Sequence, residues 1–310
     1  MDQIKTSDKP GFTTGSAPIP VETLLYFQSL DIMIAELYGS TECMGPATTN
    51  MSGTMYVLHC KLGITLLKLL YDIVGSLSKI GSVGLPYTGV NNKLLNPDSD
   101  GIGEICTKSR NVFMGYHKDE VRTKEAFDKD GWYKSGDLGR LDQDGFLWIS
   151  GRIKELLITS GGENIPPVPI ENQIKSELPE LISNVIVIGD NRKYLTCLVS
   201  LKCKVNELGI PTNILEDEVK SFCKRMSSVS DDDIQTIEDF KNDPKLINVI
   251  QASINNANSK ATANPHKVQK FFILPIDLSV AGEELGPTLK LKRHFIIKKY
   301  SVEISKMYEE

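Results

Sequence analysis

The chain has 310 residues, 40% of them hydrophobic, and a formal net charge of −5. That length and apolar content suffice for a substantial core and lie near the size at which one core gives way to two domains. The acidic balance provides no long-range attraction for phosphate backbones and argues against nucleic acid as a partner. Six cysteines are scattered without a CxxC pair, which predicts reduced thiols and no thiolate metal site.

The opening MDQIKTSDKPGFTTG is polar and carries no apolar h-region, so the expectation is a cytoplasmic protein. Val57 to Leu77 is the most apolar stretch. His59, Lys61, Lys68 and Asp72 interrupt it, and a spanning helix needs about 20 predominantly apolar residues, so it reads as a buried or interfacial helix at most. From Gly81 to Asp142, Gly, Pro and Asn turns separate short apolar runs, a texture of strands joined by tight turns. Near Arg152 the texture changes. Ile170, Ile174 and Leu178 recur at helical spacing behind a proline, predicting a helix over 169–178. Asn184 to Asp190 and Tyr194 to Leu201 read as two strands. Leu215 to Met226 reads as a helix with Leu215, Val219, Phe222, Cys223 and Met226 on one face. Ser227 to Lys260 reads as helical with interruptions, around the acidic run Asp231, Asp232, Asp233. Val268 to Leu274 reads as a strand and His294 to Tyr308 as a terminal amphipathic helix.

Five short segments carry candidate chemistry. In YGSTE, Thr41 offers a hydroxyl and Glu42 a hard oxygen for Mg²⁺, after the small residues Gly39 and Ser40. The alternative is a helix N-cap at Ser40 or Thr41, with Glu42 favouring the helix dipole. Tyr38 can stack on a base or be an ordinary half-buried tyrosine. GEI and MGY, between Gly103 and Tyr116, form the second segment. Asp137 closes WYKSGD, where its carboxylate can accept two hydrogen bonds from a vicinal diol or cap its own turn. Arg152 and Lys154 open GRIKELLITSGGE at the change of texture. They can hold phosphate or ribose, or be a charged linker surface. Gly161 and Gly162 either allow close approach of a thin ligand or supply turn geometry. In PTLKLKR, Lys290 can reach a developing negative charge at phosphorus. The alternation Leu289, Lys290, Leu291, Lys292 is equally that of a half-exposed strand. The four histidines show no triad or ligand spacing.

In this order the five segments resemble the adenylate-forming superfamily of acyl-CoA synthetases, luciferases and peptide synthetases. ELLITSGGENIPPVPIE and GPTLKLKRHF are similar to long-chain acyl-CoA synthetases of the bubblegum type. The resemblance runs from about Gly15 to the end, apart from Met51 to Ile80. It implies an α/β fold: the C-terminal part of a large AMP-binding domain, with mixed sheets and helices, over residues 1–152, and a small α+β lid domain over 153–310. It implies a fatty acid–CoA ligase that uses ATP, Mg²⁺ and CoA to form acyl-AMP and then acyl-CoA. Gly15, Ser16 and Ala17 would line the adenine and acyl site, with Tyr38 against the base. Thr41 would hold phosphate and acyl oxygens, Glu42 the metal, and Asp137 and Arg152 the ribose. Lys154 would be a hinge, Lys290 would stabilise the adenylation transition state, and Gly161 and Gly162 would border the pantetheine passage. A bilayer-partitioning substrate would bring peripheral contact with endoplasmic reticulum or other internal membranes, although no anchor motif is visible.

Three departures stand out. SDKPGFTTGSAP lacks the family's Gly/Ser/Thr-rich phosphate loop with its lysine, so the chain reads as a C-terminal portion whose isolated activity is expected to be weak or nil. Met51 to Ile80 is longer and more apolar than the family's connection. Leu289 stands where the family usually has glycine before its lysine, although the bubblegum-like subgroup tolerates a bulky residue there. A non-catalytic fragment or regulatory isoform, and a ligase for an aryl or other acid, are the competing readings.

Overall fold

The computed structural model describes residues 12–16, 19, 21–30, 32, 34–50, 78–226, 234–261 and 263–309. Ala17, the Val57 to Leu77 stretch and the acidic run 231–233 lie outside the described residues. The chain forms two compact units, Met1–Lys154 and Glu155–Glu310.

The first unit holds two four-stranded sheets. One is built from β1 (Phe12–Gly15), β2 (Ile34–Ser40), β3 (Gly45–Asn50) and β4 (Leu85–Pro86), with α1 (Val21–Ser29) between its first two strands. β1 and β2 run parallel, which requires such a crossover, and the remaining pairs are antiparallel. The other is an antiparallel meander of β5 (Asn91–Leu95), β6 (Gly103–Lys108), β7 (Tyr133–Leu141) and β8 (Leu147–Arg152), with α2 (Glu120–Ala126) ahead of β7. One device makes three of its turns. Asp98, Asp128 and Asp142 each accept, through Oδ1, the amides two and four residues on, and the glycine three residues on has positive φ. Ile105, Cys106, Tyr133 and Leu147 are buried within this sheet.

The second unit is α+β. After the short pair β9 (Leu157–Ile158) and β10 (Asn164–Ile165), α3 (Pro167–Glu177) packs on a sheet ordered β11 (Ile182–Ile188), β12 (Leu195–Leu201), β15 (Val268–Ile273). β11 and β12 are antiparallel and β12 and β15 parallel. The long crossover between β12 and β15 carries β13 (Cys203–Val205), β14 (Pro211–Leu215), α4 (Asp217–Met226), α5 (Ile237–Asn242) and α6 (Pro244–Ser259). β12 is buried along its whole length, because both faces of the sheet are covered and its run of apolar residues suits burial on two sides. α7 (Arg293–Lys299) and α8 (Ser301–Tyr308) close the unit.

Several boundaries differ from the sequence expectations. The helix expected from Leu215 starts at Asp217, where Asp217 and Glu218 occupy its first turn and favour the helix dipole. Leu215 instead pairs with Cys203 in β14, and Met226 is exposed rather than on the buried face. The helix expected from Pro169 starts at Pro167, with Ile174 wholly buried and Ile170 and Leu178 packed beside the core. Between α5 and α6, Asp243 caps the second helix through Lys245 N at 2.8 Å, and Pro244 occupies the first helical position, where it lacks no needed donor. The terminal helix is two helices broken at Tyr300, whose side chain is drawn into the core.

Candidate functional site

In the first unit the register of two sheets gathers most of the candidates. Gly15 pairs with Leu37, one residue before Tyr38, and Ser16 follows at the exposed edge with a left-handed φ of 70°. β2 carries Tyr38, Gly39 and Ser40 up to a three-residue 3₁₀ turn, Thr41–Cys43. A register shift separates Tyr38 from Gly39. A Cβ on Gly39 would lie 2.2 Å from the Gly45 carbonyl oxygen, so only glycine lets β3 cross here.

Asp137 lies within β7, not in a turn, and the strand register sets it directly opposite Arg152. Its Oδ1 faces Arg152 Nε at 3.0 Å, and its Oδ2 accepts from Tyr38 Oη at 2.9 Å. Its amide donates to Ser135 Oγ. The Asp137 side chain is 14% exposed and that of Arg152 is 55% exposed, so a shielded carboxylate is met by a cation free to move into solvent. Burial, reinforced by the negative Asp137, pushes the Tyr38 hydroxyl well above its ordinary range, and it remains a donor at any physiological pH. Turn-capping by Asp137 is thereby corrected: strand pairing sets Asp137 opposite Arg152.

Around Glu42 the capping alternative is also corrected. Ser40 has extended backbone and makes no capping hydrogen bond through its side chain, and Thr41 sits inside the 3₁₀ turn rather than before it. Glu42 Oε1 accepts from Tyr116 Oη at 2.8 Å. The Glu42 carbonyl accepts from Phe113 N at 2.7 Å and the Cys43 carbonyl from Asn111 Nδ2 at 2.7 Å. Partial burial works against the charge on Glu42. Donors around it, Tyr116 foremost, outweigh that and hold its carboxyl below the ordinary range. Tyr116, Phe113 and Asn111 drew no role in the sequence, although MGY marked their neighbourhood. Phe113 also stacks on Phe127 and meets Tyr116 and Tyr133 edge-on, a rigid aromatic bed for the YGSTE turn. Glu36, two residues before Tyr38, was missed as well. It is buried, its Oε2 has no hydrogen-bond partner among the described residues, and burial raises its carboxyl from 4.5 to about 7, against one backbone donor at Gly81.

Glu42 is a partly exposed carboxylate, and no cluster of three metal-ligating side chains occurs among the described residues. That suits Mg²⁺, which takes one or two protein carboxylates and completes its shell with phosphates and water. Lys154 is exposed in the 3₁₀ turn Ile153–Glu155 that ends this unit.

The second unit carries the rest. Gly161 and Gly162 are exposed in a turn closed by Gly162 N to Thr159 O at 2.9 Å. Gly162 has φ 81°, so the turn itself requires that glycine. Lys290 is not in a strand. Gly286 to Lys290 form a tight turn, with Gly286 N to Lys290 O and Leu289 N to Gly286 O both at 2.8 Å, above a single bridge between Leu285 and Leu291. Leu289 takes φ 59° and is 70% exposed. The left-handed geometry is the physical reason glycine is the usual residue here. Lys290 is exposed and makes no ion pair among the described residues.

Two family models match the chain: AMP-binding enzyme over residues 5–117 and AMP-binding enzyme C-terminal domain over residues 154–235. The chain belongs to the AMP-binding, adenylate-forming superfamily. It is 41% identical over 298 residues to the long-chain-fatty-acid–CoA ligase ACSBG2 of Homo sapiens, covering 96% of this chain and 41% of that protein. It is 42% identical over 299 residues to ACSBG1 of Rattus norvegicus, covering 96% of this chain and 38% of that protein. These are bubblegum-type ligases, as the resemblance implied. The chain spans about two fifths of the length of the curated relatives it matches. In fold it is similar to the adenylation domain of a carboxylate reductase from Mycobacterium chelonae, at TM-score 0.65 and 21% identity over 96% of this chain and 38% of that one. It is also similar to ATP-bound MatB from Rhodopseudomonas palustris, at TM-score 0.60 and 21% identity over 94% of this chain and 45% of that one. The expected α/β architecture of mixed sheets and helices is the one these adenylate-forming structures share.

Proposed function

We propose that this chain serves a long-chain fatty acid–CoA ligase. A fatty acid carboxylate attacks the α-phosphorus of ATP, the bond to pyrophosphate breaks, and acyl-AMP forms. The thiol of CoA then attacks the acyl carbon, loses its proton to solvent, and expels AMP. Activation is needed because neither oxygen of a carboxylate is a good leaving group. The single observation that carries this reading is the Asp137 carboxylate set between Tyr38 and Arg152, a shielded acceptor of two donors beside the YGSTE turn. A ribose diol can donate to the same carboxylate, with Arg152 beside it to hold the ribose as well. The likeness to ligases of long-chain fatty acids over 96% of the chain supports the acid class.

In this mechanism Tyr38 lies against adenine, and Gly15, Ser16 and Ala17 line the adenine and acyl site. Gly39 and Ser40 carry the turn, and Thr41 donates to phosphate and acyl oxygens. Glu42 would hold Mg²⁺, which supplies neutralisation of phosphate charge when bound. Lys290 brings its unpaired ammonium to the charge that develops at phosphorus. Lys154 acts as the hinge between half-reactions, and Gly161 and Gly162 border the pantetheine of CoA. The same reading sets the work on the cytosolic side, with peripheral contact at internal membranes where long-chain acids partition. No helix among the described residues is long and apolar enough to cross a membrane.

The test is ATP-dependent formation of palmitoyl- or oleoyl-CoA by the purified 310-residue chain, and by the chain joined to the amino-terminal portion of a bubblegum-type relative, each beside Lys290→Ala. Activity in the joined protein that Lys290→Ala abolishes supports the reading. Activity in neither overturns the long-chain assignment and favours an aryl or other acid. The match of residues 154–235 to the C-terminal domain of AMP-binding enzymes also suits a second reading, a chain that binds CoA or nucleotide without completing the chemistry. Retention of CoA without turnover in both proteins would support it.

A further inference from the structure

The turn that presents Lys290 is exposed, but its base is held by two buried carboxylates, neither of them in the proposed mechanism. On the amino-terminal side, Glu284 is almost wholly buried. Its carbonyl accepts from Lys292 N at 2.7 Å, and its carboxylate accepts from Ser279 N at 3.3 Å and pairs with Lys299. On the carboxyl-terminal side, Arg293 follows Lys290 by three residues. Its Nη1 and Nη2 fork onto Glu171 Oε1 and Oε2 at 2.7 and 2.9 Å, with side chains 12% and 7% exposed. Glu171 Oε1 also accepts from Val187 N at 2.7 Å, and Arg293 Nη1 reaches Val187 O at 3.3 Å. Arg293 is thus tied at once to α3 and to β11, while the four residues Pro287 to Lys290 stand exposed.

A buried ion pair rarely stabilises a fold more than well-packed apolar residues would, since desolvation offsets the attraction. A two-pronged guanidinium–carboxylate contact does fix direction, because both bonds must align. α3 also begins five residues after Gly162, so Glu171 links the Lys290 turn to the helix that leaves the glycine turn. We infer that Arg293 and Glu171 are a positioning pair that sets the Lys290 turn for adenylate formation. This rests on the reading of Lys290 given above.

The test reads hydrogen exchange on the 310-residue chain and both half-reactions on the chain joined to the amino-terminal portion of a bubblegum-type relative, each with Arg293→Met, Arg293→Lys, Glu171→Gln and, separately, Lys290→Ala. Hydrogen exchange at the Gly286, Leu289 and Lys292 amides should quicken about tenfold or more in Arg293→Met, with β12 amides unchanged and Arg293→Lys between wild type and Met. Acyl-adenylate formation should fall in kcat with KM for ATP steady, while transfer from supplied acyl-AMP to CoA stays at the wild-type rate. Unchanged turn amides, or equal acceleration in β12, overturn the inference, as does an equal loss in both half-reactions. If Lys290→Ala leaves adenylate formation intact in the joined protein, or the joined wild-type protein forms none, the reading of Lys290 falls. The positioning role falls with it, and a local exchange change then marks the pair as structural alone.

Discussion

Asp137 in the first unit and Lys290 in the second are handled oppositely by their surroundings. Asp137 is shielded, and both of its oxygens are engaged by Arg152 and Tyr38. Lys290 is exposed with no ion pair among the described residues, and the pairing occurs instead beneath it, at Glu284 with Lys299 and Glu171 with Arg293. In the proposed mechanism the contrast matches two kinds of task. A group that recognises a ground-state ligand benefits from partners that hold its shape until the ligand arrives. A group meant for a charge that develops only in the transition state is most useful when nothing in the resting protein competes for it.

The sharpest way to break this comparison is to remove the pairing beneath Lys290 and, separately, Lys290 itself. Glu171→Ala leaves the Arg293 guanidinium buried and alone, so chemical denaturation should register a loss of about 3–5 kcal/mol in the second unit. Lys290→Ala should change stability by less than about 0.5 kcal/mol, since nothing is built on that ammonium. Comparable losses in the two variants would dissolve the contrast.

A second test concerns the other buried carboxylate near Asp137. Burial raises Glu36 from 4.5 to about 7, so the folded chain retains a proton that the unfolded chain releases. The stabilisation is fully present below about pH 4.5 and is lost as pH rises through about 7. Wild type should lose up to ~3 kcal/mol across that window relative to Glu36→Gln, read from denaturation midpoints at pH 4.5 and 7.5. Parallel pH profiles would show that Glu36 titrates normally.

Within the Asp137 group, Tyr38→Phe removes one donor and keeps the ring, and should cost about 1 kcal/mol of stability. A null effect would mean that Arg152 alone holds the carboxylate. The smallest effects lie at the turn before Lys290. Leu289→Val should destabilise by less than about 1 kcal/mol, because leucine already bears most of the cost of φ 59° and a β-branched residue only adds to it. In Leu289→Gly, relief of strain is offset by a more flexible unfolded chain, and the net change should stay under about 0.5 kcal/mol.

Much of the fold was legible because its signals are local. Ile170, Ile174 and Leu178 at helical spacing marked α3, and the glycine- and asparagine-rich stretches marked the meander's turns, where an Asp side chain bonds amides two and four residues on. Boundaries were less legible. Leu215 satisfies the helical pattern of α4, yet its amide bonds Gln235 O and it joins a strand, a choice made by a residue twenty positions away. Tyr300 breaks the last helix because the core takes its ring, which no periodicity announces.

By itself the sequence determined the family and the order of its short motifs, because those motifs are contiguous and their spacing survives in the chain. It also marked Leu289 as unusual before any geometry assigned it positive φ. Only the tertiary structure decided that Asp137, Tyr38 and Arg152 meet, that Tyr116 holds Glu42, and that Glu171 and Arg293 brace the turn of Lys290. Those pairs are separated by 99, 15, 74 and 122 positions. Contacts of that kind depend on strand register and on which carboxylates the core can bury only when paired, and neither is written in local pattern.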